Sequence, residues 1–504
     1  MKKFAVLLAG SLASASALAA GPDFGQSVER LIADKSEKLF GTSGVLEASS
    51  TASISAAAAD ADPTALVTLA RGLRARVVSA DAALGANIDM MALWPNDANP
   101  THLIACNEQG TAQVGLQRVR LRDGQVENIV KSGLSSCDPV EATAWGTIVF
   151  GEEAGSSGRV FELIDPLNTT DVVVAADGSV SGGSNPQNIV HRSAIGRLSF
   201  EGISVFPNGV TYYGDENRPG NGNGGGAYFK FIPDLAYAGG APIANLNQSP
   251  LASGRVFGLR IGARSGNTDF GQGNQSGNGV WVEVVDGQVI GSSTVSRSNL
   301  RAAAPLLKLT TYYRPEDNDI DKGALAGSVV RICGTNTGED GQTLNYGETF
   351  CISDGLLDEA AAIATTTQVS GGISYTINNG PGTSTPQYQP LVAHFEDFAM
   401  PDNIAYQPGT GNWLLHEDGE GPGFGRNNDI WACTDDGADA DQQADACAKI
   451  ATLNDLSAES TGGVFNADGT RYFFSVQHNV TGHGVILEVR GWKNRGRAGY
   501  RADD

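Results

Sequence analysis

The residues best suited to chemistry lie at positions 311–321, where an arginine and a glutamate flank a proline. Pro315 disfavours helical backbone at the residue before it, so we expect Arg314 to be extended. Side chains alternate along extended backbone, so Arg314 and Glu316 are expected on one side. A guanidinium beside a carboxylate can bind a tetrahedral oxyanion while the carboxylate binds a hard cation. The alternative is an ordinary surface salt bridge, which contributes little.

Acidic and amide side chains recur at the ends of short apolar segments. If these positions share one rim of the fold, their oxygen atoms would suit Ca²⁺, which takes six to eight oxygen ligands. Each could also be a solvated loop residue, but the recurrence favours a metal site. No cysteine and histidine set has zinc spacing, and there is no Gly-x-Ser-x-Gly motif. The candidate metal ligands are Asn107, Glu152, Glu153, Glu201, Asp215, Glu316, Asp402 and Glu417.

The elements that must position these residues are short strands. From residue 89 onward, apolar segments of four to seven residues alternate with Gly, Asn and Asp, which is typical of a sandwich, barrel or propeller. An apolar segment, a turn such as Pro-Asn-Gly or Ala-Asp-Gly, and a strand recur at 206–215 and 465–474, which favours a β-propeller. We predict an all-β propeller, an N-terminal helical and low-complexity arm at 21–86, and long insertions at 264–279, 332–350 and 354–388.

The amino-acid composition limits the kinds of partner that the protein can bind. The chain has 504 residues and a net charge of −22, with 34 basic and 56 acidic side chains. Such a chain lacks the basic surface that neutralises nucleic acid. It also repels a phosphate substrate unless bound cations reverse the local field. No segment after the N-terminus is long and apolar enough to span a membrane, so we expect no membrane insertion.

The N-terminus and the cysteines indicate export. Residues 1–20 read as a signal peptide, with Lys2 and Lys3, an apolar region and small residues for cleavage, so we expect a periplasmic or secreted protein. Six cysteines in an exported chain suggest disulfides, and fifteen pairings are possible. We favour the sequential pairing because each bond closes a short loop, while Cys106 as a free metal-binding thiolate is the alternative. The favoured pairs are Cys106–Cys137, Cys333–Cys351 and Cys433–Cys447.

Several of these motifs together resemble the PhoX-type alkaline phosphatases, in that family's order and over about residues 87–492. The motifs include Trp145-Gly146-Thr147 before Glu152-Glu153, Gly196 to Glu201, Tyr213 to Glu216, Arg314-Pro315-Glu316-Asp317, Phe398 to Asn403, and Glu417-Asp418-Gly419. The resemblance implies a six-bladed propeller whose channel holds calcium ions and a pair of irons, and which hydrolyses phosphomonoesters. It also implies metal contacts for Asn107, Glu152, Glu153, Glu201, Glu316 and Asp402, and a phosphate-binding role for Arg314.

Three departures from the family pattern bear on the iron. Gly151 stands where the family has an iron-ligating cysteine, and Phe200 stands where a histidine usually precedes the glutamate. The signal has two lysines rather than a twin arginine. The departures favour calcium over iron, unless Cys106 supplies the missing thiolate.

We therefore predict a monomeric, calcium-dependent phosphatase for small-molecule phosphate esters, with Arg314 and Glu316 as catalytic residues. The expected divisions are a signal peptide at 1–20, the arm at 21–86, the propeller at 87–492 and a tail at 493–504. One alternative is a calcium-propeller hydrolase of lactones or phosphodiesters. The other is a propeller that retains calcium for stability and binding without catalysis.

Overall fold

The computed structural model describes residues 24–220, 224–261, 276–339, 345–419, 424–437 and 441–493. The predicted signal peptide and nearly all of the predicted tail lie outside these residues. The described chain is predominantly β-strand, as the sequence predicts, with six short α-helices. The helices are α1 (Phe24–Asp34), α2 (Ser36–Leu39), α3 (Ala56–Ala61), α4 (Leu300–Leu307), α5 (Lys322–Ala326) and α6 (Leu357–Ala361). None of the helices in the described ranges has both the length and the apolar character needed to cross a membrane.

Each of the first two sheets is built on an antiparallel meander of consecutive strands, and the first also contains one parallel strand pair. The first has the order β11-β10-β6-β5-β4-β3, and the second has the order β12-β9-β8-β7. The first sheet contains β3 (Ile88–Trp94), β4 (His102–Asn107), β5 (Leu116–Arg120), β6 (Val126–Ser132), β10 (Val172–Val174) and β11 (Val180–Ser181). The second contains β7 (Cys137–Ala142), β8 (Thr147–Glu152), β9 (Val160–Ile164) and β12 (Ile189–His191).

A twelve-stranded sheet occupies the middle of the chain. Two meanders, β13 to β17 and β21 to β26, merge because β17 pairs with both β25 and β26. Its strands are β13 (Phe200–Val205), β14 (Thr211–Asp215), β15 (Gly226–Pro233), β16 (Gly254–Ile261), β17 (Gly277–Glu283), β20 (Thr311–Tyr312), β21 (Pro315–Ile320), β22 (Val329–Asn336), β23 (Glu348–Leu356), β24 (Thr365–Ser370), β25 (Ile373–Asn378) and β26 (Gln387–Ala393). A separate hairpin joins β18 (Val289–Ile290) to β19 (Ser293–Thr294).

The last two sheets each contain one strand from the N-terminal region. The fifth sheet has the order β1-β30-β29-β28-β27, and the sixth has the order β2-β33-β32-β31. Their strands are β1 (Val67–Leu69), β27 (Pro401–Gln407), β28 (Asn412–Glu417), β29 (Asp429–Cys433) and β30 (Cys447–Leu453), then β2 (Arg74–Ser79), β31 (Glu459–Phe465), β32 (Arg471–Gln477) and β33 (Val485–Arg490). Part of the region expected to be an arm, 67–79, therefore completes the sheets.

Six inner strands meet in a closed order around the centre: β3, β7, β13, β21, β27, β31 and β3 again. The arrangement is propeller-like, as predicted. Within the described residues, however, four separate sheets of four to six strands are present rather than the six blades expected. The reason is the pairing of β17 with β25 and β26, which hydrogen-bonds two meanders into the twelve-stranded sheet.

The turn pattern seen in the sequence joins inner strands to their neighbours. Gly209 lies between β13 and β14 with φ +96°, and Gly469 lies between β31 and β32 with φ +66°. The backbone N–H of each donates across the turn, to Phe206 and Asn466 respectively. Because a side chain disfavours positive φ, glycine at these positions fixes where each hairpin turns.

Apolar clusters fill the spaces between neighbouring sheets. Ile104 and Val130 of the first sheet pack with Phe150 of the second, and Phe473 of the last sheet packs with Leu103 of the first. The N-terminal region joins one cluster through Phe40 and Ala59, which are fully buried. Burial of these faces is the main force that holds neighbouring sheets together.

Two of the expected insertions include strands of the described chain. Within 332–350, residues 332–336 belong to β22 and residues 348–350 belong to β23, and the two strands pair. Within 354–388, the hairpin of β24 and β25 extends the large sheet. The expectation of loop was wrong for these strand residues, because Gly, Thr and Ser occur in exposed strands as well as in loops; every residue of β24 is exposed. The segment 262–275 lies outside the described residues.

Candidate metal and phosphate site

Five of the six inner strands place an acidic residue at their second position, at one end of the central ring. In each strand the pairing register skips two residues, beginning at that acid, so the acid lies in a β-bulge. A bulge bends the strand and redirects its side chains. The same local irregularity therefore points each acid toward a common centre. The five residues are Asp89, Asp138, Glu201, Glu316 and Asp402.

The sixth inner strand differs. In β31 the register skips at Gly462 and Gly463, and the acid is Glu459, the first residue of the strand. The Glu459 and Asp402 carboxyl groups share a side-chain hydrogen bond. The central cluster thus receives an acid from every inner strand.

Two overlapping groups of carboxylates are close enough to share cations. The ligand atoms of Glu201, Glu316 and Asp402 lie within 4.8 Å of one another, and so do those of Asp402, Asp418 and Glu459. Asp402 belongs to both groups. Carboxylate oxygens converging at this spacing are the donors that Ca²⁺ prefers.

Burial strongly perturbs these acids. The pKa values of Asp89, Asp138 and Glu201 are raised well above the usual range, first by burial and then by neighbouring carboxylates. Burial raises the pKa of Glu153 to about 8, with the charge of Glu108 as the next cause. Bound cations would reverse this effect because they favour the ionised carboxylates.

Unsatisfied oxygens provide a further test of whether the residues fit a cation. Among the described residues, the buried Oδ1 atoms of Asp138 and Asp402 accept no hydrogen bond. Buried carboxylate oxygens normally have a partner. Their chemistry and position fit cation binding at this centre.

Arg314 is the arginine of the cluster. Its Nε donates to Glu216 at 3.0 Å, its Nη2 lies 3.0 Å from Glu316, and Asp418 lies at 3.8 Å. Burial lowers the pKa of Arg314, but Glu316, Glu216 and Asp418 outweigh that effect and raise it overall. The guanidinium is therefore a fixed positive charge beside the carboxylate groups.

The backbone of Arg314 differs from the prediction. Its φ is +58°, in the left-handed region, rather than extended. Its carbonyl oxygen accepts a hydrogen bond from the N–H of Thr337. The restriction imposed by Pro315 is overruled by contacts with the neighbouring strand, and the left-handed turn still brings Arg314 next to Glu316. Such strained backbone is concentrated at functional sites.

Four predicted ligands lie beside the cluster but bond to protein groups instead. Asn107, Glu152, Asp215 and Glu417 each end the second strand of a sheet, and each is opposite the first residue of the inner strand. Glu152 bonds to Arg159 at 2.6 Å through each oxygen. Asp215 accepts hydrogen bonds from Arg301, and Glu417 accepts them from Arg426. The Asn107 amide bonds to Asn87 and Val114.

For each of these four predicted ligands, the residue that follows it in the sequence faces the cluster instead. Side chains alternate along a strand, so two consecutive polar residues cannot both point to the centre. The cluster-facing members are Glu108, Glu153, Glu216 and Asp418, which interact with the inner-strand acids or with Arg314. Of the predicted set, the structure brings Glu153, Glu201, Arg314, Glu316 and Asp402 together.

The sequence reasoning missed Asp89, Glu108, Asp138, Glu216, Asp418 and Glu459 as ligand candidates. A signal for two of them, Asp89 and Asp138, was present. Ile88-Asp89, Cys137-Asp138 and Phe200-Glu201 each begin an apolar strand with one acid, as do Pro315-Glu316 and Pro401-Asp402. An acid at the second position of a strand is the sequence feature that these inner strands share, and it could have identified them.

All six cysteines form the predicted sequential disulfides. Cys106–Cys137 links β4 of the first sheet to β7 of the second. The prediction of this pairing is confirmed, and the alternative of a free thiolate at Cys106 is excluded.

The chain is all-β and propeller-like, and its acidic centre contains Arg314. These features define the class as a propeller whose centre is suited to hard cations and an oxyanion. The family model for alkaline phosphatase PhoX matches residues 140–479, more than half of the chain, so this chain belongs to that family. It is a phosphoric ester hydrolase.

Two solved structures are similar to this chain, and the first supports the fold. Pseudomonas fluorescens PhoX in complex with vanadate, a transition state analogue, is 16% identical with a TM-score of 0.56, and the match covers 90% of this chain and 99% of that one. The PQQ-bound aldose sugar dehydrogenase of Streptomyces coelicolor is 14% identical with a TM-score of 0.40, covering 83% and 98%. The second likeness is too distant to carry an argument. No curated protein sequence matches the chain.

Proposed function

We propose that the protein is an exported, calcium-dependent phosphatase that hydrolyses small-molecule phosphate monoesters at the central acidic cluster. The observation that carries the proposal is the convergence of Glu201, Glu316 and Asp402, within 4.8 Å of one another, beside the guanidinium of Arg314. A chain of net charge −22 needs such a centre to accept a phosphate.

Calcium would be held by Glu201, Glu316 and Asp402, and by Asp402, Asp418 and Glu459. Glu153 is a further candidate at the rim. Asn107, Glu152, Asp215 and Glu417 would act indirectly, since their protein partners fix the strand ends that carry the cluster. When bound, the cations would supply charge neutralisation and activation of the attacking oxygen.

Arg314 would bind the phosphate and stabilise the charge that develops in the transition state. Its contacts with Glu216 and Glu316 hold the guanidinium in place before substrate arrives. A planar guanidinium can contact two phosphate oxygens at once, which orients the ester. Glu316 thus has two roles, as a cation ligand and as the residue that positions Arg314.

Iron is not part of the proposal. The family-type cysteine is replaced by Gly151, and every cysteine of this chain is in a disulfide, so no thiolate is available. Carboxylates are hard oxygen donors that suit calcium. Three disulfides also support an oxidising, extracytoplasmic location, either periplasmic or secreted.

We also propose that the propeller has six blades, with the twelve-stranded sheet counted as two. The closed order of six inner strands supports this count. The proposed organisation has a signal peptide at 1–20, an N-terminal region at 21–86, one propeller at 87–492 and a tail at 493–504, acting as a monomer.

The test is elemental analysis of purified protein, with phosphatase activity assayed on the same sample before and after chelation. We expect calcium without iron, activity on monoesters that chelation abolishes, and recovery on calcium addition. Activity on phosphodiesters alone would overturn the substrate class. Stoichiometric iron would overturn the metal assignment, and unchanged activity after complete metal removal would overturn the mechanism.

A further inference from the structure

Two aromatic side chains, Tyr346 and Phe424, lie at the end of the propeller that carries the acidic cluster, and the proposed chemistry makes no use of them. Tyr346 lies two residues before β23, and Phe424 lies in the segment between β28 and β29. The pairing registers place the start of β23 and the end of β28 level with the first residues of the inner strands β21 and β27. Those inner strands carry Glu316 and Asp402 at their second positions. Both aromatic residues are thus at the same end of the strands as the cluster acids.

The rings of Tyr346 and Phe424 form an aromatic corner. Their centroids are 6.4 Å apart, and their planes meet at 49°. Both side chains are partly exposed. The guanidinium of Arg426, which is hydrogen-bonded to Glu417, lies over the Phe424 ring at 5.6 Å from its centroid. Phe424 is therefore anchored on one face, while the partly exposed remainder of the corner can contact a ligand.

The aromatic corner is joined to the acidic cluster at Asp418. Gly419, the next residue, lies against Phe424, because a Cβ atom at Gly419 would be 3.2 Å from Cδ2 of the ring. The N–H of Asp418 donates to the carbonyl of Met400 at 2.9 Å, and the N–H of Met400 donates to the carbonyl of Tyr346 at 2.8 Å. Both halves of the corner are therefore connected to the backbone of one cluster residue.

Asp418 also sets the distance from the corner to the proposed phosphate site. Its carboxylate lies 3.8 Å from Nη2 of Arg314, and it belongs to the second carboxylate group. Only Gly419 separates Asp418 from the contact with Phe424, and successive Cα atoms are about 3.8 Å apart. Ring contacts are favourable with centroids about 4.5–7 Å apart. A ring on a two-carbon spacer therefore reaches the corner from a phosphate bound at Arg314.

We propose that the aromatic corner binds a neutral aromatic ring on the leaving group, so that the protein selects phosphate monoesters of alcohols that carry such a ring. The inference rests on the proposed phosphatase function. An anionic leaving group would be repelled by Asp418 and the other cluster acids. A cationic leaving group would compete with Arg426 for the Phe424 ring. A neutral ring avoids both effects and packs against the corner in an offset or edge-to-face geometry.

Two esters that differ only in the ring provide the test: 2-phenylethyl phosphate and 2-cyclohexylethyl phosphate. They share the phosphate, the spacer and the number of carbon atoms, so the size and the basicity of the leaving group are closely matched. We expect the wild-type KM to be about two- to tenfold lower for the phenyl ester, the factor given by about 0.5–1.5 kcal/mol of ring contact. In Phe424→Leu and in Tyr346→Leu this KM ratio should fall toward one, while kcat for the cyclohexyl ester should change less than twofold.

Conservative variants and a distant aromatic residue control the measurement. Phe424→Tyr and Tyr346→Phe retain both rings and should keep the KM ratio. Tyr237→Leu removes a partly exposed ring from the segment between β15 and β16, at the other end of the strands, and should leave the ratio unchanged. A ratio near one in the wild-type protein, or a ratio that neither leucine variant alters, would overturn the proposal.

Binding of unreactive analogues separates the aromatic corner from the phosphatase function. In 3-phenylpropylphosphonate and 3-cyclohexylpropylphosphonate a methylene replaces the ester oxygen, so neither can be hydrolysed. Calorimetry should show tighter binding of the phenyl compound to the wild-type protein and equal binding of both compounds to Phe424→Leu. If the protein hydrolyses neither ester but shows this difference, the corner stands and the phosphatase proposal fails. Hydrolysis of both esters with equal KM, together with equal binding of both phosphonates, overturns the corner alone.

Discussion

Gly151 lies directly against Phe200: a Cβ atom at Gly151 would be 3.3 Å from the Cβ of Phe200 and 2.9 Å from Cγ of Pro139. The two positions at which the chain departs from the PhoX-type pattern are therefore neighbours. A larger side chain at 151 has no room while Phe200 and Pro139 keep their places. The side chain that fits at 151 therefore depends on the side chain at 200.

Gly151→Cys should consequently destabilise the protein by about 1–3 kcal/mol, the usual cost of overpacking, and should not add iron. Urea unfolding and iron analysis check this. Urea unfolding of Phe200→His and of the double variant completes a double-mutant cycle. We expect the two changes in stability to be non-additive because the two residues touch. Stoichiometric iron in the single variant would show that the site accepts the metal without repacking.

Asp402→Asn should reduce calcium binding more than any other single change, because Asp402 belongs to both carboxylate groups. We expect lower bound calcium and a loss of kcat/KM of about 100-fold or more, comparable to removal of one key electrostatic group. Calcium analysis and steady-state kinetics measure this. Asp234→Asn, at an exposed position, is the matched control. Normal calcium content and activity in Asp402→Asn would refute the assignment.

Alanine substitution should affect different properties at the adjacent residues Glu152 and Glu153: stability at the first, and activity and calcium affinity at the second. Glu152→Ala leaves buried Arg159 without its carboxylate, and breaking a buried ion pair costs about 3–5 kcal/mol. Glu153→Ala removes a carboxylate at the cluster, so activity and calcium affinity should fall with little loss of stability. Thermal unfolding and kinetics on both variants distinguish the roles. Equal stability losses would contradict the alternation argued from β8.

The sequence predicted the class of fold and the three acids of one carboxylate group, because apolar strands and turn residues are local signals. It assigned Glu152 and Glu417 as ligands because it could not tell which of two consecutive polar residues faces inward. That choice depends on strand register, and here also on bulges, which are set by pairing with distant strands.

Other features depend on tertiary contacts and lie beyond local patterns. Pro315 predicts extended backbone at Arg314, yet the hydrogen bond from Thr337 holds it in a left-handed conformation. The pairing of β17 with β26 joins segments far apart in the chain, so the merged sheet could not be read from the repeat. The disulfides were predictable because each joins cysteines that are neighbours in sequence order.

The stability of the metal-free protein should fall as pH rises. The pKa of Glu108 is raised from 4.5 to about 8, first by burial and then by Asp89, and that of Glu153 is raised to about 8. Between the ordinary pKa of 4.5 and the raised pKa of about 8, the folded protein binds more protons than the unfolded chain. The free energy of unfolding therefore decreases from pH 5 to pH 8. Calcium favours the ionised carboxylates, so its effect on Tm should grow over the same range.

Thermal unfolding of metal-free and calcium-loaded protein from pH 5 to pH 9 measures both effects. The Glu108→Gln/Glu153→Gln variant should show a flatter pH dependence without metal, because two of the titrating groups are gone. A metal-free Tm that increases from pH 5 to pH 8 would mean that these acids are ionised without a cation.

Arg314→Ala should abolish most phosphatase activity while leaving calcium bound, because the arginine contacts the carboxylates without being a metal ligand. Its removal takes away the positive charge proposed to hold the phosphate, so kcat/KM should fall about 100-fold or more. Arg314→Lys should recover only part of this loss, since an ammonium cannot make the paired contacts of a guanidinium. Kinetics with one monoester, calcium analysis and inhibition by inorganic phosphate measure the result. Both variants place a non-glycine residue at the left-handed position 314, so the comparison between them reports on the side chain. Unchanged phosphate inhibition in Arg314→Ala would place phosphate binding on other residues of the cluster.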